Sequence, residues 1–114
     1  MPLKVVEATD TLTHVALRGK LSLLGVERLT GSVQENVAAR GVNAIIDMAG
    51  VTFIASVGIS MLLHCRKQLA AAGAKVVLLG ATSEVARTLR TARMDKLFPI
   101  VDSLAEAHRA LAAE

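Results

Sequence analysis

Phe53-Ile54-Ala55-Ser56-Val57-Gly58-Ile59 is the stretch on which the reading of this chain turns. Before it runs Asn43–Met48, where Ala44-Ile45-Ile46 is an unbroken apolar run of the kind found in a strand buried on both faces, and Asp47 lies near its end. Ala49-Gly50 is expected to turn the chain, and Val51-Thr52-Phe53-Ile54 to form a second short extended piece. After Ser56 a helical pattern continues from Val57 to Ala72 and stops at Gly73. A strand therefore runs into a tight connection with a serine at the start of the following helix.

Working outward, Leu3–Ala8 and Thr13–Arg18 are short runs rich in β-branched residues, separated by Thr9-Asp10-Thr11. In the second, His14, Ala16 and Arg18 alternate with Val15 and Leu17, the period of a half-buried strand, so the two runs read as a hairpin that Gly19 ends. From Leu23 to Arg40 the period changes: Val26, Leu29, Val33 and Val37 share one helical face, and Gly41 stands where a left-handed helix end costs least. Downstream, Lys75–Leu79 reads as a buried strand. Glu84–Ala92 reads as a helix capped by Ser83, and Phe98–Val101 as a short strand. A last helix begins at Asp102 or Ser103, where Ser103 and Glu106 have capping-box spacing. The order ββαβαβαβα implies parallel pairing with right-handed crossovers, hence a small α/β domain with a mixed sheet of about five strands and helices mainly on one face. No internal repeat, low-complexity tract or second domain interrupts residues 1–114, which read as one domain.

Composition narrows the function. Hydrophobic residues make up 53% of the 114, ample for one core, but aromatic residues only 2%, so the stacking platforms of single-strand nucleic-acid binders are missing. The net charge is +3, with the 13 Lys and Arg spread along the chain rather than clustered, which argues against nucleic acid as partner. The N-terminus lacks a signal-peptide pattern and no apolar run approaches the ~20 residues that span a bilayer, so direct membrane insertion is not expected and a cytoplasmic location is. The single Cys65 among Leu62, Leu63 and Leu69 reads as a partly buried thiol in a reducing compartment. His14, His64 and His108 have no metal-ligand spacing. Ser56 lacks the first glycine of a nucleophile elbow, and His64, two turns down the same helix, is too far to serve as its base. Neither a catalytic residue nor a metal or cofactor site is therefore expected. Gly80-Ala81-Thr82-Ser83 ahead of a helix reads as an ordinary strand-to-helix loop.

Ser56 itself admits two readings. Serine is a favoured helix cap, stabilising by about 0.5–2 kcal/mol over alanine. Alternatively the hydroxyl is an acceptor for phosphate, whose roughly −1.5 to −2 charges the unpaired N–H groups of a helix start tolerate while a docked partner is repelled. Gly58 likewise either leaves the backbone open to another molecule or avoids a clash with the sheet beneath.

The arrangement resembles the STAS domain, the fold of bacterial anti-sigma factor antagonists, over nearly the whole chain. That family places Asp-Ser-[Ser/Thr]-Gly between an apolar strand and an apolar helix, where this chain has Ala55-Ser56-Val57-Gly58. The likeness extends to Leu17-Arg18-Gly19-Lys20-Leu21, where the family often has Gly-Glu-Leu-Asp. It further includes Ala44–Asp47, Leu78-Leu79-Gly80 with Val85 and Leu89, and Met94–Phe98 with the helix from Leu104. The resemblance implies that Ser56 is phosphorylated by a partner kinase, usually also the anti-sigma factor, and reset by a phosphatase, with the unphosphorylated form binding the kinase. It implies a docking surface shaped by Ile54, Ala55, Val57 and Gly58, with Met61 and the loop Gly19, Lys20, Leu21, Ser22 at its edge. Ala55 stands in place of the family's aspartate, Val57 in place of a second hydroxyl, and Lys20 and Ser22 in place of an acidic pair. A second role seen among STAS domains, a constitutive adaptor subunit of a transport system, needs no phosphate on Ser56.

Overall fold

A computed structural model describes residues 2–113 of the chain. Five strands form one sheet in the order β1-β2-β3-β4-β5: Leu3–Ala8 (β1), Leu12–Leu21 (β2), Asn43–Ile54 (β3), Val76–Leu79 (β4) and Ile100–Val101 (β5). β1 and β2 pair antiparallel as the expected hairpin, and β2, β3, β4 and β5 pair parallel. The hairpin turn is held by Thr9, whose Oγ1 accepts from the amides of Thr11 and Leu12 at 3.3 and 3.0 Å. The Arg40 guanidinium then reaches across to donate to Leu12 O, to Thr13 Oγ1 and to Thr9 O.

The helices are Leu23–Asn36 (α1), Ser56–Ala71 (α2), Ser83–Thr91 (α3) and Leu104–Ala112 (α4). Because each parallel strand lies next to its predecessor, crossovers of one hand put α1, α2 and α3 on the same face of the sheet. Their buried residues, Val26, Leu29 and Val33 from α1, Met61, Leu62, Cys65 and Leu69 from α2, and Val85 and Leu89 from α3, share one core with Ala44, Ile46 and Met48 of β3. The alternate residue Ile45 points the other way, into a smaller cluster with Val77, Leu79 and Ala107 of α4. The unbroken apolar run of β3 thus serves two cores.

Four local expectations are corrected. Ala49-Gly50 is not a turn: β3 continues through it, and Gly50 is required because a Cβ there would lie 2.8 Å from the Cβ of Arg18 on the neighbouring strand. Gly19 does not end β2 but sits within it at φ +96°, beside a register shift against β3. α1 stops at Asn36, and a 3-10 turn over Ala38–Arg40 leads to Gly41, which adopts the expected left-handed conformation. The cap of α3 is Thr82 rather than Ser83, its Oγ1 accepting from the Val85 amide at 3.3 Å. At α4 Ser103 is the cap: its Oγ accepts from the Glu106 amide at 3.1 Å and donates to Glu106 Oε1 at 3.0 Å.

Candidate functional site

Since β2 and β3 are parallel neighbours, the chain leaves both at the same edge of the sheet. Lys20 lies opposite Phe53 and Leu21 opposite Ile54, and the Ala55 amide donates to Leu21 O at 3.1 Å. The two loops singled out in the sequence, Gly19–Ser22 and Ile54–Gly58, therefore form one surface, from which α1 and α2 both begin.

Ser56 occupies the first turn of α2, and the position before it, Ala55, is the cap (φ −100°, ψ 174°). The Ala55 carbonyl accepts from the Gly58 and Ile59 amides at 2.9 and 3.1 Å, but its methyl can accept nothing, so the helix start carries no side-chain cap. The capping reading of Ser56 is thereby corrected: its hydroxyl lies one residue too late to reach back to the first amides. It is exposed and makes no hydrogen bond among the described residues. The Ser56 and Val57 amides precede Gly58, the first amide to donate within the helix, and no acidic residue lies in the first turn, so the positive end of the helix is uncompensated among the described residues.

The residues expected around Ser56 divide by burial. Leu21, Ile54, Gly58 and Met61 are buried and shape the surface from beneath. A Cβ on Gly58 would meet Leu21 Cβ at 2.8 Å and Ile54 Cγ1 and Leu21 O at 2.9 Å, so this glycine serves packing within the domain and not the approach of another molecule. Gly19, Lys20 and Ser56 are exposed, and Ser22, Ala55 and Val57 half-buried. Ser22 precedes α1 as its cap residue but makes no side-chain cap bond.

Three residues absent from the expected set stand out here: Leu23, Leu24 and Phe53 are 65%, 57% and 50% exposed. Leu23 and Leu24 open α1 beside Ser22, and Phe53 faces Lys20 across the β2–β3 pair. The sequence held a signal for Leu24, a large apolar residue off the Val26–Leu29–Val33 stripe where solvated residues belong; Leu23, three residues before Val26, continues the stripe and is exposed as the first residue of the helix.

Other candidates lie elsewhere. Cys65 is buried, and desolvation pushes its thiol up to about 11, which keeps it protonated and unreactive at neutral pH. His14, on the same strand face as Leu12, is buried with Nε2 unpartnered among the described residues, whereas His64 and His108 are exposed on α2 and α4. In the loop Gly80–Ser83 the Thr82 hydroxyl already occupies the Val85 amide. No described helix is long and apolar enough to cross a membrane.

Comparison with solved structures finds the same fold in an anti-sigma-factor antagonist (STAS) domain protein from Planctomyces limnophilus. It is 19% identical, with a TM-score of 0.79 and 96% of each chain covered. It recurs in the phosphorylated form of the Bacillus cell fate determinant SpoIIAA, at 16% identity, a TM-score of 0.69 and 95% and 97% of the two chains. A murine solute carrier 26 anion transporter contains it as well, at 17% identity and a TM-score of 0.79, with 95% of this chain matching 19% of the transporter. Comparison with curated proteins gives no match. The sequence pattern of the STAS domain fits residues 4–107, nearly the whole of the chain and all of the surface around Ser56, and the chain therefore belongs to the STAS domain family.

Proposed function

We propose that this chain is a regulatory docking domain of the anti-sigma factor antagonist type, which binds a protein partner while Ser56 is free and releases it when Ser56 carries a phosphate. The partner in this reading is a serine kinase that also acts as the anti-sigma factor, with a phosphatase restoring the free serine. The cycle runs in the cytoplasm, and the chain contributes no chemistry of its own. One observation carries the reading: the Ser56 hydroxyl is exposed, makes no hydrogen bond among the described residues and stands at an uncompensated helix start.

The physical logic is electrostatic. A phosphate on Ser56 brings roughly −1.5 to −2 charges next to two unpaired amides, which favour it, at the sheet edge where Lys20 pairs with Phe53. Leu23, Leu24 and Phe53 are exposed on the elements that meet at the same sheet edge, and a partner covering them together with Ser56 would have to desolvate that charge. Docking and phosphorylation then exclude one another. That the Bacillus relative is known in a phosphorylated form supports a phosphate being compatible with this fold.

Ala55 favours a second reading. It removes the carboxylate with which the family precedes its serine, and a STAS domain that is part of an anion transporter shares the fold. In that case the same surface is a constitutive contact of an adaptor subunit. Mass spectrometry of the protein from its native host separates the two. A phosphate on the peptide containing Ser56 is expected, and its absence across growth conditions would favour the adaptor. With the kinase in hand, Ser56→Asp is expected to weaken binding about tenfold or more, equivalent to roughly 1.4 kcal/mol, and Ser56→Ala to bind as the free form does. Equal binding by wild type and both variants would sink the switch.

A further inference from the structure

Between α1 and α2 runs a groove of about 330 Å³, which shares Val57 and Met61 with the surface around Ser56 and extends from there along both helices. Its floor is apolar and buried: Val26 and Val33 from α1, Met61 and Cys65 from α2. Its rim is polar and exposed: Gln34 on one wall, Ser60 and His64 one turn apart on the other. None of these three side chains makes a hydrogen bond among the described residues, although each can donate one. Thr30, also on the α1 wall, differs in that its hydroxyl is already bonded to Val26 O at 2.7 Å. Among the described residues no carboxylate lines the groove, and one end lies at Val57, in the first turn of α2.

These features select a ligand class. The volume lies at the lower end of small-molecule sites, which are mostly apolar with a few placed polar groups, about 300–1,000 Å³ in size. The lining from Val57 to Cys65 extends about 12 Å along α2 at the helical rise of roughly 1.5 Å per residue, so the floor is long and narrow. The two sulfur-bearing side chains on it pack adaptably against a flexible chain. Donors without a protein partner, and no acid among the lining residues, complement an anion at the rim. We propose that the α1–α2 groove binds an unbranched medium-chain monocarboxylate, its tail along Val26, Val33, Met61 and Cys65 and its carboxylate held by Ser60 and His64 with Gln34 on the opposite wall.

The test is an amide NMR titration of the full chain with decanoate below its micellar range, with decanol as the control lacking the charge. Saturable shifts at Val57, Ser60, Met61 and His64 are expected with decanoate, and at least about tenfold weaker binding with decanol. Thr30→Phe, which places a ring in the groove from an exposed wall position, is expected to abolish the shifts. Should Thr30→Phe disturb the fold, the exposed pair Ser60→Ala and His64→Ala serves instead. It is expected to weaken decanoate about tenfold and to leave decanol unchanged. The proposal is overturned by the absence of saturable shifts, by decanol binding as well as decanoate, or by full decanoate affinity in the substituted protein.

Discussion

All four helices begin at the ends of parallel strands, yet they begin in two different ways. α3 and α4 start with side-chain caps, Thr82 on the Val85 amide and Ser103 on the Glu106 amide, and each carries a glutamate in its first turn, Glu84 and Glu106. α1 and α2 start at Ser22 and Ala55 with no side-chain cap and no acid. Caps and first-turn acids are the ordinary means of satisfying a helix start, so their absence from two adjacent helices is a stability cost concentrated on one surface. That surface also exposes Leu23, Leu24 and Phe53. One half of the edge is built to be finished by the chain itself. The other half is left with free amides, positive potential and apolar area, which is what a site for phosphate or partner requires.

Substitutions can break this contrast. The largest effect is expected at Gly25, where a Cβ would lie 1.9 Å from the Lys20 carbonyl oxygen: Gly25→Ala should cost about 3 kcal/mol, read as a lowered midpoint in urea unfolding. α1 is thus fastened to the end of β2 by backbone contact in place of a cap. Thr82→Ala should cost about 1 kcal/mol on the capped half, whereas Ala55→Asp should stabilise by about the same amount by supplying the missing cap. Both are read in the same unfolding experiment, and a destabilised Ala55→Asp would show that the start of α2 is already satisfied. The smallest effect is expected for Ser56→Ala, within about 0.5 kcal/mol of wild type, as for a surface residue with no structural bond. A loss of 1 kcal/mol or more there would return Ser56 to the role of a cap.

The fold was legible because its signals are local. Ala44-Ile45-Ile46 announces a strand buried on both faces, the helical stripes announce α1 and α3, and Gly41 announces the end of the α1 segment. What was not legible depends on residues distant along the chain. Gly50 looks like a turn residue until Arg18 is known to press against it, and Gly58 looks like an opening until Leu21 and Ile54 are known to lie beneath it. The caps show a finer limit. Sequence places a helix start to within a residue or two, and one residue decides whether a hydroxyl bonds its own helix, as at Thr82, or faces solvent, as at Ser56. The position of the candidate site around Ser56 could be read from the motif. The state of its hydroxyl could not, and neither could the contribution of Phe53, whose exposure follows from where β3 ends.

The strand order 1-2-3-4-5 carries a consequence for how the molecule is made. No later strand is inserted between earlier ones, so every new strand finds its neighbour already the most recently formed edge. Each parallel pair closes over a single crossover helix, and the entropy of closing such modest loops grows only slowly with their length. Folding can therefore begin at the β1–β2 hairpin and propagate one strand and one helix at a time. Keeping strand contacts close in sequence lowers the contact order, and chains of that kind fold faster than sheets whose partners must be gathered from far apart.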